Sequence, residues 1–178
     1  CPACGPNLSG YYDSLPGVTS SLVSGDITAG LLSGVDLFIT GLTGGPLSPG
    51  EVTALEVFLD AGGSLLFSGD YTYSVAAVNS ALAALGSGLS LYGPPLDSGT
   101  WFASVLPDPL TAGVSSFQYG YAYGVSGGTP LFLRSDQNPF LAYETHNNAS
   151  PIPEPSTILL LGAGLVSLGL WGRKRMKG

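Results

Sequence analysis

The chain has 178 residues, 44% of them hydrophobic and only 10% charged, with 27 glycines, 14 prolines and a formal charge of −7. That length holds one compact domain plus a short appendage, and the hydrophobic fraction excludes a charge-driven disordered chain. The acidic balance excludes a nucleic-acid binder, which needs a basic face for phosphates.

The chain opens Cys1-Pro2-Ala3-Cys4, with no methionine and none of the apolar stretch that makes a secretory signal peptide. The simplest account is a fragment or a processed form. The C-x-x-C spacing suits a redox pair only at a helix N-terminus, and a zinc site only with a second ligand pair, for which His146 alone is on offer. A local Cys1–Cys4 disulfide, or no role at all, is the expectation. No metal and no cofactor is expected.

Residues 18–25 (VTSSLVSG) begin a β-type pattern, and Asp26-Ile27-Thr28 opens a short helical turn ending near Gly34. Val35–Thr40 is nearly continuous and β-rich, as a strand buried on both faces should be. After a glycine-rich loop, Ser48, Pro49 and Glu51 form a capping box with proline at the first helical position. Val52, Leu55, Phe58 and Leu59 give that helix one apolar face, and Gly62-Gly63 ends it. Ser64–Ser68 reads as another short buried strand, residues 74–85 as an alanine-rich helix, and Leu89–Tyr92 as a weaker strand. Strand, helix, strand, helix, strand with short loops implies a parallel sheet with right-handed crossovers. Residues 114–145 alternate β-rich runs with glycine and read as hairpins or mixed strands finishing that sheet.

Candidate chemistry in this body is sparse. Asp70 closes a strand at what would be the carboxyl edge of a parallel sheet, where ligands of open α/β folds bind, with Tyr71 as a stacking partner. A helix N-cap is the blander role for Asp70. Tyr119, Tyr121 and Tyr123 alternate, so in a continuous strand all three face one side, as core packing or as a platform for sugar rings. The sole histidine, His146, follows the last strand.

The C-terminal segment differs sharply from the body. Residues 1–150 carry eleven carboxylates against one arginine, Arg134, whereas the last six residues hold Arg173, Lys174, Arg175 and Lys177 with no acid. Between them, residues 156–171 (STILLLGAGLVSLGLW) carry no charge. The run is short for a spanning helix, but Trp171 at the interface and snorkelling basic side chains extend it. The positive-inside rule keeps the basic cluster cytoplasmic and residues 1–150 on the other side, with membrane lipid as a partner.

Pro153-Glu154-Pro155, the hydrophobic run and the basic cluster together resemble the PEP-CTERM protein-sorting signal. The resemblance implies an exported protein of a Gram-negative bacterium, found where exopolysaccharide and biofilm are made. It also implies processing by an exosortase, a membrane transpeptidase, near the Pro-Glu-Pro motif. VDLFITGL, the capped helix and DAGGSLLFSGD resemble a second family, the class I glutamine amidotransferase-like superfamily, over roughly residues 8–145. That resemblance implies a flavodoxin-like three-layer α/β fold, mostly parallel, with extra strands in the second half and a first strand missing or reduced to Cys1–Asn7. It also implies a nucleophile in the turn after the second strand and a histidine late in the chain. The turn here is Phe67-Ser68-Gly69-Asp70-Tyr71, which has neither a cysteine nor the frame that exposes one.

The expected organisation is an amidotransferase-like ectodomain over 1–146, a linker over 147–152 and a sorting signal over 153–178. Within the signal lie the motif 153–155, a transmembrane helix 156–171 and a basic tail 172–178. The expected function is a non-catalytic, exported surface or matrix protein, held in the inner membrane with its basic end cytoplasmic and then released by exosortase. Two alternatives stand beside it. One is an extracellular carbohydrate-binding module using Tyr119, Tyr121 and Tyr123 on polysaccharide. The other is a degenerate hydrolase using Ser68 or Asp70 with His146, which requires the histidine to pack against the 68–71 turn.

Overall fold

The computed structural model describes residues 4–42, 45–68, 72–96 and 101–146. Its first element is a helix, α1 (Cys4–Asp13), where a reduced strand was expected. Residues 18–25 form no strand. Asp13 accepts the backbone N–H of Ser20 (2.7 Å) and the Ser20 hydroxyl donates to Ser9 O (3.1 Å), so this stretch is tied back to α1 by side chains.

The short helix α2 (Ala29–Leu32) is capped by Thr28, whose hydroxyl accepts from Leu31 N at 3.2 Å. Strand β1 (Leu37–Thr40) leads to α3 (Pro49–Asp60), and the expected capping box is present. Ser48 Oγ accepts from Glu51 N (3.4 Å), and Glu51 Oε2 accepts from Ser48 N (2.9 Å). The second carboxylate oxygen of Glu51 accepts from Ile27 N (3.2 Å), which ties the start of α3 to the segment before α2. Leu55 and Phe58 bury the inner face of α3 against Ile27, Leu32 and Leu85, with Phe38, Leu65 and Phe67 of the strands beside them. The Phe58 ring lies where a β-carbon would stand on Gly63, so only glycine fits that turn.

Strand β2 (Ser64–Phe67) pairs with β1 in parallel, Phe38 opposite Leu65 and Ile39 opposite Leu66. The following helix α4 (Thr72–Ala84) buries Ala77, Val78 and Ala81 against Leu42, with Phe67 and Leu91 at the margin. Both helices thus pack toward the face that carries Phe67. Leu37 and Leu66, which point the other way, are exposed. The expectation of strands buried on both faces is corrected: this sheet is covered on one side.

The mostly parallel, flavodoxin-like sheet is not what the chain builds. Among the described residues β1–β2 is the only parallel pair, and the other strands form small antiparallel sheets. Strand β3 (Ser90–Leu96) pairs antiparallel with β7 (Ala122–Ser126), Leu91 opposite Val125. The physical reason lies in Asn79 of α4. Its side-chain amide donates to Leu91 O (2.9 Å) and accepts from Leu91 N (2.7 Å), occupying the backbone groups that a parallel neighbour would use. Gly124 completes the exchange, because the Tyr92 ring packs within 2.6 Å of the place its β-carbon would occupy.

The remaining strands are β4 (Trp101–Phe102) with β6 (Gln118–Tyr119), and the sheet of β5 (Ser104–Val105), β8 (Thr129–Leu133) and β9 (Pro139–Tyr143). Phe117, Tyr119, Phe132 and Phe140 stack between them, with Tyr119 and Phe140 centroids 4.7 Å apart. Arg134, only 4% exposed, ends β8. Its guanidinium donates to Asp136 twice (3.2 and 2.8 Å), to Ala122 O (3.0 Å) and to Pro94 O (3.5 Å).

Ser48→Ala should cost about 1 kcal/mol of unfolding free energy, read from urea midpoints. Backbone hydrogen bonds from Ser48 and Ile27, with the Ser48 hydroxyl, hold the Glu51 carboxyl below the ordinary glutamate range. That contribution is complete above the unfolded value, about 4.3, and is lost as pH falls through the lower folded value. Glu51→Gln should therefore flatten part of the acid limb of a thermal-melt series. Arg134→Met should cost about 3 kcal/mol, because it removes the buried guanidinium that satisfies the Ala122 and Pro94 carbonyls and the Asp136 carboxylate. Asp136→Asn should cost less, since the guanidinium keeps its carbonyl partners.

Candidate functional site

The carboxyl edge of β1–β2 is the place where an open α/β fold presents a ligand site. There Ser68 N donates to Thr40 O (2.9 Å), and the Ser68 carbonyl lies 3.4 Å from where Gly41 would carry a β-carbon. Asp70 and Tyr71, the residues expected to bind at this edge, lie outside the described residues.

His146 lies at the ends of two helices. Its Nε2 sits 3.1 Å from Asp60 Oδ1, in a pocket of about 380 Å³ lined by Glu56, Asp60, Ala84, Leu85 and Gly86. These residues are the carboxyl ends of α3 and α4, which run back from the 68–71 turn to the opposite end of β2. Four strand residues separate the two ends, about 13 Å of rise. Ser68 and His146 therefore stand at opposite ends of β2, and the pairing of these two that a hydrolase would need is not formed; Asp70 lies outside the described residues.

Asp60 is the residue that sequence reasoning passed over. A carboxylate in the last turn of a helix faces the negative end of the helix dipole and is disfavoured there. Glu56 stands one turn earlier on the same helix. An acid so placed signals a cationic or hydrogen-bonding partner elsewhere in the chain, and His146 is that partner. The carboxyl end of α4 is closed in the usual glycine manner, with Gly86 at φ +70° and Ser87 N donating to Leu82 O (2.9 Å).

The tyrosine stripe is also corrected. Tyr119 and Tyr123 are buried, at 6% and 5% exposure, whereas Tyr121 is 47% exposed. Alternation fails because β6 stops at Tyr119 and β7 starts at Ala122, and Tyr121 between them adopts a left-handed φ of +59°. Tyr119 instead accepts a hydrogen bond from Ser135 N (2.8 Å). The exposed aromatic side chains of this half are Tyr92, Trp101, Phe102, Phe117 and Tyr121, with Phe102 the most exposed at 66%.

Among the described residues no three metal-ligating side chains converge. Arg134, the only Lys or Arg in residues 1–150, is committed to Asp136 and two carbonyls and offers no charge to an anionic ligand. No helix among the described residues is long and apolar enough to cross a membrane. The expected transmembrane helix 156–171 lies outside them, as do Pro153, Glu154, Pro155, Arg173, Lys174, Arg175, Lys177 and the Cys1–Cys4 pairing.

No protein of curated function matches this chain. Among solved structures, one described as the mmIFT52 N-terminal domain is similar in fold, with a TM-score of 0.57 at 17% identity, over 75% of this chain and 69% of that one. At that identity the likeness concerns fold alone, and the amidotransferase-like resemblance of residues 8–145 gains no support from it. Residues 151–175 match the PEP-CTERM protein-sorting motif, so the chain carries a signal that supports export to the cell envelope and sorting by an exosortase.

Proposed function

We propose that this is a non-catalytic, exported protein whose folded body is delivered to the cell surface or extracellular matrix by an exosortase. The sorting motif over residues 151–175 carries the proposal. In it, residues 156–171 hold the chain in the lipid bilayer, Arg173, Lys174, Arg175 and Lys177 stay cytoplasmic, and processing at Pro153-Glu154-Pro155 releases the body. The separation of His146 from Ser68 supports a non-catalytic role, because a serine without a base is a poor nucleophile.

The exposed Trp101, Phe102 and Tyr121 favour a second, compatible reading, that the body binds extracellular polysaccharide through aromatic faces. A body with no free Lys or Arg among its described residues suits a neutral glycan better than an anionic one.

Intact-mass analysis of the protein from its host, with and without exosortase, tests the first reading. The expected result is a chain ending near Pro155 only where exosortase is present; an uncut chain in both strains overturns it. For the second, affinity electrophoresis in a neutral polysaccharide gel should retard the wild type, and Trp101→Ala with Tyr121→Ala should abolish the retardation.

A further inference from the structure

Among the described residues, the end of β9 and the stretch after it are attached to the body by side chains. Tyr143 Oη, at the end of the strand, donates to Asp108 Oδ2 (3.1 Å). Glu144 Oε2 accepts from Gly88 N (3.0 Å), and His146 Nε2 meets Asp60 Oδ1 (3.1 Å). The surroundings are shaped for this path. The Gly88 carbonyl rests where a β-carbon on Gly127 would lie, and the Tyr143 carbonyl presses on Gly128 in the same way. Both glycines have left-handed φ, +84° and +62°. The loop after α4, the turn after β7 and the exit of β9 therefore converge on one spot. The imidazole then fits between the ends of α3 and α4, four-fifths covered, and answers the carboxylate that the α3 dipole disfavours.

Five residues beyond His146 the sorting motif begins. The geometry points to His146 as a positioning residue for that signal: by docking on Asp60 it limits how far Pro153 can stand from the body. The inference rests on the exosortase reading. Clamped at His146, the chain can reach Pro153 across at most about 25 Å; released back to Glu144, it can reach about 32 Å. The difference decides whether a bulky folded body lets a membrane enzyme reach the motif.

The test shortens the tether and then undoes the clamp. Deleting residues 147–150 should abolish exosortase processing in the host, because the clamped body then stands within about 11 Å of Pro153. Adding His146→Ala to the deleted chain, or Asp60→Ala from the other side, should restore part of the processing by freeing residues 145 and 146, with Glu144 still held by Gly88. In the full-length chain in detergent, each substitution should raise the rate of limited proteolysis around Thr145 roughly fivefold, with the melting temperature of the body unchanged. A merely structural role would lower the melting temperature and leave the deleted chain unprocessed. A deleted chain processed as well as wild type, or rescued by neither substitution, overturns the inference. An unprocessed wild type sinks the sorting reading instead, and the proteolysis rates still decide whether the clamp exists.

Discussion

A single guanidinium holds the antiparallel half of the body together. Arg134 is buried at the end of β8 and reaches the carbonyls of Pro94 in β3 and Ala122 in β7, while gripping Asp136 in the turn before β9. A buried charge is tolerated only when its donors are matched, and four hydrogen bonds with one carboxylate achieve that here. Every strand of this half except the β4–β6 ribbon is fixed relative to that group directly or through one ladder. The ribbon is held by the aromatic stack of Phe117, Tyr119, Phe132 and Phe140.

The same scarcity of charge shapes the other half. With no lysine or arginine to place at helix ends, α3 and α4 depend on caps and apolar faces. Glu51 closes the start of α3 and reaches Ile27, so one carboxylate both caps a helix and joins two elements. At the far ends the helices leave carbonyls and two acids with no basic neighbour nearby in sequence, and the only histidine of the chain is drawn there. A sorting signal begins five residues later, so the electrostatic deficit of two helices sits close in sequence to the start of that signal.

The local elements were legible where the signals were local. Ser48, Pro49 and Glu51 specify a helix start within four residues, and β1–α3–β2 followed as a parallel crossover because a short loop leaves few other arrangements. Prediction failed where one side chain redirected a backbone. Asn79 takes both main-chain groups of Leu91 and turns β3 away from the parallel pair. Ser20 gives its N–H to Asp13, and a β-rich run stays unpaired. Tyr121 takes a left-handed turn that an alternation count does not register, so the stripe of three tyrosines becomes two buried rings and one exposed.

From sequence alone came the address: Pro153-Glu154-Pro155, the apolar run and the basic end are contiguous, and contiguous patterns need no fold to be recognised. The capped helix and the lone parallel crossover belong to the same class of short-range information. The partner of His146, the role of Arg134 and the pairing of β3 belong to the tertiary structure. His146 meets Asp60, 86 positions away, and Arg134 reaches Pro94, 40 positions away, and which of many acids or strands is met is decided only when the apolar faces pack and the remaining polar groups must find partners.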